Sequence, residues 1–289
     1  MKLDTERFFA NGGDDLLITD FPTSTDKLYK SKKNYKKLLA ENVKTLRNFQ
    51  KTLYAHNRYA VLLVFQGMDA SGKDGAVRHV FSGVNPQGIQ VFSFKQPSSE
   101  ELNHDYLWRI HTRMPERGRF GIFNRSHYEE VLIAKQNPRV IEGQRLPDEV
   151  RNRPHFWEER YQDIVQFEDY LYRNGTVILK FYLHLSYEEQ RKRLLSRIDN
   201  PDKNWKFEDS DLEVRGKWDD YEALYEKCLR KTSKAVAPWY VVPADDKRNA
   251  RLIISQILVN ELTRLPISFP DVSDERREKL QSMREQLEA

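Results

Sequence analysis

The strongest constraint on this 289-residue chain is the run Gly67-Met68-Asp69-Ala70-Ser71-Gly72-Lys73-Asp74-Gly75, which follows the apolar segment AVLLVFQ (60–66). It satisfies GxxxxGK, and it sits between a strand pattern and a helical one, the context in which that spacing has physical meaning. Glycines let backbone N–H groups curl around phosphate oxygens. The N-terminus of the next helix adds partial positive charge, and Lys73 supplies a point charge. Gly67, Ala70, Ser71, Gly72, Lys73, Asp74 and Gly75 are therefore expected to form a phosphate cradle.

The rest of the chain supports a sheet that could carry such a loop. Short apolar runs recur at 89–94 (IQVFSF), 120–123 (FGIF), 177–183 (VILKFYL) and 239–242 (WYVV), with helical patterns between them. Strands separated by helices predict a parallel sheet covered on both faces, one α/β domain over 1–289. The spacing of Tyr35, Leu38, Leu39, Leu46, Phe49 and Leu53 predicts a helix over 26–55, strongly basic in its first half. Ser98–Glu101 reads as a capping box opening a helix that runs through Met114, and Ser186–Glu189 as a second box after the fourth strand. Pro154 and Gly175 bracket a further helix. Residues 196–217 lack periodicity and read as an exposed, mobile flap, and 266–289 as a charged tail helix suited to oligomer contacts.

Composition removes several classes. With 48 Lys+Arg against 44 Asp+Glu, the net charge is only +4, and no recognition-helix or aromatic-studded basic strand stands out, so a nucleic-acid partner is not expected. At 12% aromatic the chain is not a disordered one. Its longest apolar run, Ala60–Phe65, falls far short of the roughly 18 residues that span a bilayer. The N-terminus carries acids early and shows no apolar secretion signal, which reads as a cytoplasmic chain with no membrane partner. One cysteine fits a reducing compartment, and the helical spacing around Cys228 assigns it to packing. The seven histidines show no zinc spacing. His104 and His111, seven apart, are read as surface or packing residues.

The loop departs from the usual Walker form. Asp74 stands where Ser or Thr normally holds magnesium, and Asp69 lies inside the cradle, where a carboxylate repels phosphate. Asp69 makes sense as a ligand to Mg²⁺, with Mn²⁺ as a substitute, or as acceptor of a proton from an incoming phosphate; the plain alternative is a solvated turn residue. The third strand ends in Asn124-Arg125-Ser126. Arg125 there is expected to clamp phosphate, Asn124 is at best a weak metal ligand, and Glu129, a turn later, could supply the missing carboxylate. The flap region carries Arg193, Arg197, Lys203 and Lys206, cations able to close over a transferring phosphoryl group or simply to face solvent.

Taken together, GMDASGKDG, FSFKQPSSEEL, YLWRIHTRMPERGRFGIFNRSHYEEVL and RLLSRIDNPDKNWKF resemble the polyphosphate kinase 2 family over residues 30–265, and the Asn124 form resembles its third class. The resemblance implies a thymidylate-kinase-like P-loop fold with a helical lid. It also implies Mg²⁺-dependent transfer of the terminal phosphoryl group of inorganic polyphosphate to AMP and ADP, giving ADP and ATP. Carried over by motif, Asp69, Lys73, Arg125, Arg193 and Arg197 would be catalytic. The basic helix 27–37 with Arg113, Arg117 and Arg119 could line a groove for the polyanionic donor, and a homo-oligomer is expected. Two rival readings fit the same loop less well. An ATP-dependent nucleoside monophosphate kinase would lack its usual magnesium hydroxyl at Asp74, and a nucleotide-gated nucleic-acid-binding module would need more net positive charge.

Overall fold

The computed structural model describes residues 3–289. The apolar segment before the glycine run forms an inner strand of a six-stranded sheet. In chain order the strands are β1 (Phe9–Ala10), β2 (Ala60–Gln66), β3 (Ile89–Ser93), β4 (Phe120–Asn124), β5 (Thr176–His184) and β6 (Trp239–Pro243). Their spatial order is β1-β6-β5-β2-β4-β3. All neighbours are parallel except the short edge strand β1, which runs antiparallel to β6 through Phe9–Tyr240 and Ala10–Trp239. The two residues of β1 are too short a run to carry strand periodicity, and the sequence pattern does not reveal them.

The helices are α1 (Lys32–His56), α2 (Lys73–Val80), α3 (Trp108–His111), α4 (Glu129–Gln136), α5 (Pro138–Gly143), α6 (Asp148–Arg151), α7 (Phe156–Arg173), α8 (Tyr187–Ile198), α9 (Asp209–Gly216), α10 (Trp218–Thr232), α11 (Lys247–Leu262) and α12 (Asp274–Glu288). All seven β2 residues are buried, because helices cover both faces of the sheet. Val61, Leu63 and Phe65 share a core with Leu46 and Phe49 of α1, Val77 and Val80 of α2, and Ile253 and Ile257 of α11. Leu62 and Val64 point the other way, into a core built with Val131 of α4, Ile164 of α7 and Leu224 of α10. Each such side chain contributes about 1.5–3 kcal/mol on burial. A continuous apolar run, rather than an alternating one, is what a two-faced parallel strand requires.

Several boundaries differ from the sequence expectation. The first helix begins at Lys32 rather than 26, because Ser31 caps it by accepting from the Asn34 amide, while the Leu28 amide is held by Asn249 of α11. The expected helix from Ser98 to Met114 is broken. Its capping box does form, with Ser98 and Glu101 bonding reciprocally, but only the 3₁₀ turn Glu101–Asn103 follows. Asp105 then accepts from the Leu107 amide, a local turn that competes with helix continuation until α3. His104 stacks on Trp108 across that break, and His111 packs near Phe167. Ser186 caps α8 by accepting from the Glu189 amide, yet Glu189 does not reciprocate; its carboxylate takes Arg193 instead.

Residues 196–217 carry more structure than a bare flap: a 3₁₀ segment over Pro201–Lys206, then α9, opened by a Glu208–Asp211 capping box. The tail forms α12 with every residue exposed, capped by Ser273. Among the described residues no helix is long and apolar enough to cross a membrane.

Candidate active site

The glycine loop joins the carboxyl end of β2 to the N-terminus of α2. Gly67 has φ of +150°, and a Cβ there would lie 2.8 Å from Ser71 Oγ and 2.9 Å from the Leu183 carbonyl, so only glycine fits. Ala70 (φ 65°) and Gly72 (φ 104°) take left-handed conformations, and the Ser71 amide between them donates back to the Met68 carbonyl. Lys73 is buried and donates from Nζ to the carbonyls of Gly67 and Met68, folding over its own loop. Burial pushes its ammonium pKa down, and nearby Asp69 opposes that shift.

Beside the loop, β4 ends level with β2, Asn124 pairing with Phe65. Arg125 turns into the left-handed region (φ 63°), its amide bonded to the Phe65 carbonyl, and its guanidinium donates to Asp69 Oδ1 at 3.1 Å. The Arg125 side chain is still 42% exposed, so most of its donors are open to a phosphate. Asn124 Nδ2 donates to Asp74 Oδ1, tying the residue at the magnesium position of the loop to the end of β4. Glu129, at the start of α4, is raised in pKa chiefly by burial, against the pull of Arg125 and Lys73. Tyr221 and Tyr225 of α10 close this side, their phenols pushed up mainly by burial and further by Asp69 and Glu129.

Behind the loop lies a support that the sequence pattern missed. Gln190 Nε2 donates to the Asp69 carbonyl. Arg193, also on α8, spends all five N–H donors on the protein. Nε binds Glu189, one terminal nitrogen binds the Ala70 and Ser71 carbonyls, and the other binds those of Ala244 and Asp245. With its donors taken and 6% exposed, it braces the loop from behind, which corrects its reading as a lid arginine. Arg197 donates to Asp211 of α9 and to the Lys206 carbonyl, holding α8 to the segment that follows it. Asp211 in turn lies near enough to Asp69 for that charge to help raise its pKa, after burial. Lys203 and Lys206 are exposed in that segment, Lys206 over the Trp205 ring.

Two basic residues fall at the wrong end of the sheet. Arg117 donates to the Asn174 carbonyl, and Arg119 pairs with Glu116, both before the first residue of β4. The length of β4, about 13 Å, separates them from the loop. Arg117 is therefore not a phosphate ligand of this site, and Arg119 does not line its groove; a basic cluster in sequence gives no indication of which strand end it will occupy. Arg113 sits over Phe92 of β3, on the edge beyond β4. Cys228 is buried in α10 with its thiol pushed up to about 12, consistent with packing.

The residues present fit a magnesium ion held mainly through substrate phosphates and water, the ordinary mode for this cation. Asp69 and Asp74 offer carboxylates. Asn124 Oδ1, Ser71 Oγ and Gln66 Oε1, buried without a hydrogen-bond partner in the protein, are oxygens able to accept from water on such an ion. Among the described residues, no three His, Cys, Asp or Glu side chains gather into a self-sufficient metal site.

Comparison with known proteins agrees with this geometry. The family model for polyphosphate kinase 2 matches residues 29–268. The ADP-polyphosphate phosphotransferase of Rhodopseudomonas palustris is 52% identical over 287 residues, covering 99% of each chain. The AMP/ADP-polyphosphate phosphotransferase of Meiothermus ruber is 47% identical over 225 residues, covering 78% of this chain and 80% of the relative. The crystal structure of polyphosphate kinase 2 from Arthrobacter aurescens superposes with a TM-score of 0.82 at 36% identity, over 96% of this chain and 99% of that one.

Proposed function

The chain belongs to the polyphosphate kinase 2 family, and from that membership and the loop geometry we propose that it transfers the terminal phosphoryl group of inorganic polyphosphate to ADP and AMP. ADP as acceptor is supported by both relatives' names, and AMP by the Meiothermus name, in keeping with a third-class reading. The observation that carries the donor assignment is Asp74 bound to Asn124, which puts a carboxylate–amide pair where an ATP-using loop keeps its magnesium hydroxyl.

In this reading the loop amides and Lys73 hold the donor's terminal phosphates. Binding would draw Nζ away from the Gly67 and Met68 carbonyls onto phosphate oxygen. Arg125 clamps the phosphoryl group in flight, and Asp69, held by Arg125, orients the acceptor phosphate and receives its proton when it carries one. An acceptor oxygen attacks in line and forms a new P–O bond, the bond to the penultimate phosphate breaks, and the shortened chain leaves with that electron pair. No covalent enzyme intermediate is needed, so catalysis rests on positioning and charge stabilisation. Asp69, Asp74 and Asn124 would hold Mg²⁺, with Glu129 in reserve; when bound, the ion neutralises charge on the phosphate oxygens. Arg193 acts through the loop, and Arg197, Lys203 and Lys206 belong to the lid that closes above it. We further read the chain as one kinase domain working in the cytoplasm, with α12 available for homo-oligomer contacts.

The test is nucleotide chromatography of purified protein with Mg²⁺ and polyphosphate as sole donor. ADP should give ATP, and AMP should give ADP then ATP, in preparations free of adenylate kinase. ADP formation from ATP and AMP alone, with no product from polyphosphate, would instead make the chain an ordinary nucleotide kinase.

A further inference from the structure

Asp69 is held twice, by its side chain and by its backbone, and the two holds come from different elements. Its carboxylate takes the Arg125 guanidinium at the end of β4, while its carbonyl accepts from Gln190 Nε2 of α8 at 3.1 Å. The second hold governs the tightest part of the loop. The Asp69 carbonyl belongs to the planar peptide that enters Ala70, whose left-handed backbone (φ 65°) is one that residues with a Cβ generally avoid. Fixing that carbonyl fixes the plane of the peptide. The direction of the Ala70 amide and the approach of the Asp69 side chain follow from it.

Gln190 is itself oriented by a third element. Its Oε1 accepts from Arg215 Nη1 of α9 at 3.0 Å, and the same nitrogen donates to the Tyr187 carbonyl at 2.8 Å. The Arg215 guanidinium lies 3.4 Å from the centre of the Tyr187 ring, so stacking as well as hydrogen bonding seats it on α8. Gln190 is 0% exposed, which keeps bulk water from either end of its amide. Arginine only donates and a backbone carbonyl only accepts. A side chain between the two therefore needs an acceptor at one end and a donor at the other. The glutamine amide meets both needs. An ionised carboxylate would satisfy Arg215 and leave the Asp69 carbonyl facing a second oxygen.

We infer that Gln190 is a positioning residue for Asp69 and that Arg215 makes it one: by taking Oε1, Arg215 leaves Nε2 for the Asp69 peptide. The placement of the Asp69 carboxylate thus depends on α9 being docked on α8. This relay rests on the reading above, in which Asp69 orients the acceptor phosphate. Because Gln190 lies behind the loop and acts through Asp69, its loss falls on kcat rather than on substrate KM.

The experiment is steady-state kinetics of the full chain with Mg²⁺, polyphosphate and ADP, each protein beside a thermal melt. The variants are Gln190→Glu, Gln190→Met, Arg215→Met and the Gln190→Met/Arg215→Met double. Gln190→Glu keeps the shape and the Arg215 bond but loses the hydrogen given to Asp69. Its Tm should hold, while kcat falls roughly tenfold and KM for both substrates stays within about twofold. Arg215→Met alone should lower kcat about threefold; in the Gln190→Met background it should add nothing, because its route to Asp69 is already cut. Unchanged kcat in Gln190→Glu, or a loss that only tracks a large fall in Tm, would overturn the positioning role. Equal losses from Arg215→Met in both backgrounds would overturn the relay. Should Gln190→Glu fail to fold, the cycle of methionine variants decides by itself. Absence of ATP synthesis by the unmodified protein, or a normal rate in Asp69→Asn, would instead remove the reading of Asp69 on which the relay stands.

Discussion

Replacing Arg193 by lysine separates bracing of the phosphate loop from a direct role in transfer. Lysine keeps the positive charge but carries three donors on a single nitrogen, so at least two of the five bonds to Glu189 and the carbonyls of Ala70, Ser71, Ala244 and Asp245 must be lost. A bond to a charged group contributes about 1.5–3 kcal/mol. Two such losses at a site 6% exposed therefore cost about 3 kcal/mol at the low end. At about 2–4 °C per kcal/mol for a chain of this size, Tm should fall by about 6–12 °C. Activity should fall with it, because the Ala70 and Ser71 carbonyls fix where the loop amides point. The assay pairs a thermal melt with initial rates of ATP formation. A variant with unchanged Tm but strongly reduced kcat would refute the bracing argument and return Arg193 to the transferring phosphoryl group.

Lys73→Ala should abolish polyphosphate-dependent turnover by orders of magnitude while circular dichroism stays native, and Asp69→Asn should be severely impaired as well; near-normal rates in either would remove that residue from the mechanism. Glu129→Gln should stabilise the apo protein at neutral pH while lowering its activity. Burial raises the folded pKa of Glu129 above its unfolded value, so wild-type stability declines as pH climbs from the unfolded pKa through the folded one, and below both values the carboxyl is protonated in either state. The Tm gain in the variant should therefore be present at pH 8 and shrink toward pH 4; a gain independent of pH would contradict it. Lys180→Met should cost about 3–5 kcal/mol, since it leaves the fully buried Glu168 carboxylate without its lysine, with only the Tyr128 hydroxyl and His127 beside it. Adding Glu168→Gln should recover part of that loss in urea titrations, and equal stability of single and double variants would show that the charges are uncoupled.

The sequence carried the fold wherever a pattern was long or chemically explicit. AVLLVFQ followed by a glycine-rich turn identified β2 and its loop, and the four later apolar runs identified β3 to β6. Lys180, a charge inside VILKFYL, did not spoil the strand. It is neutralised by Glu168 from α7 and bonded to Tyr128 and the Thr232 carbonyl, a partnership spread over residues 128–232 that no local window contains. Short or competing signals failed. Phe9–Ala10 is too brief to read, and Asp105 broke a helix that the Ser98–Glu101 box had correctly opened. At the site, sequence indicated the chemistry of Asp69, Lys73 and Arg125, and the structure sets Asp69 against Arg125. It could not distinguish an arginine facing the phosphate from one gripping the back of the loop, as Arg193 does, nor tell that Arg117 and Arg119 lie at the opposite end of β4. Gln190, Tyr225 and the Asn124–Asp74 bond come together only through the parallel register and the packing of α8 and α10.

Direct transfer of the terminal phosphoryl group from polyphosphate held at the loop to a nucleotide leaves a signature in phosphorus resonances. The measurement is ³¹P NMR of the purified enzyme with Mg²⁺, ADP and polyphosphate. The γ-phosphate signal of ATP should grow in step with the loss of chain phosphate, with no orthophosphate released and no signal at all in the Lys73→Ala variant. Orthophosphate accumulating without ATP, or ATP forming equally well in that variant, would contradict it.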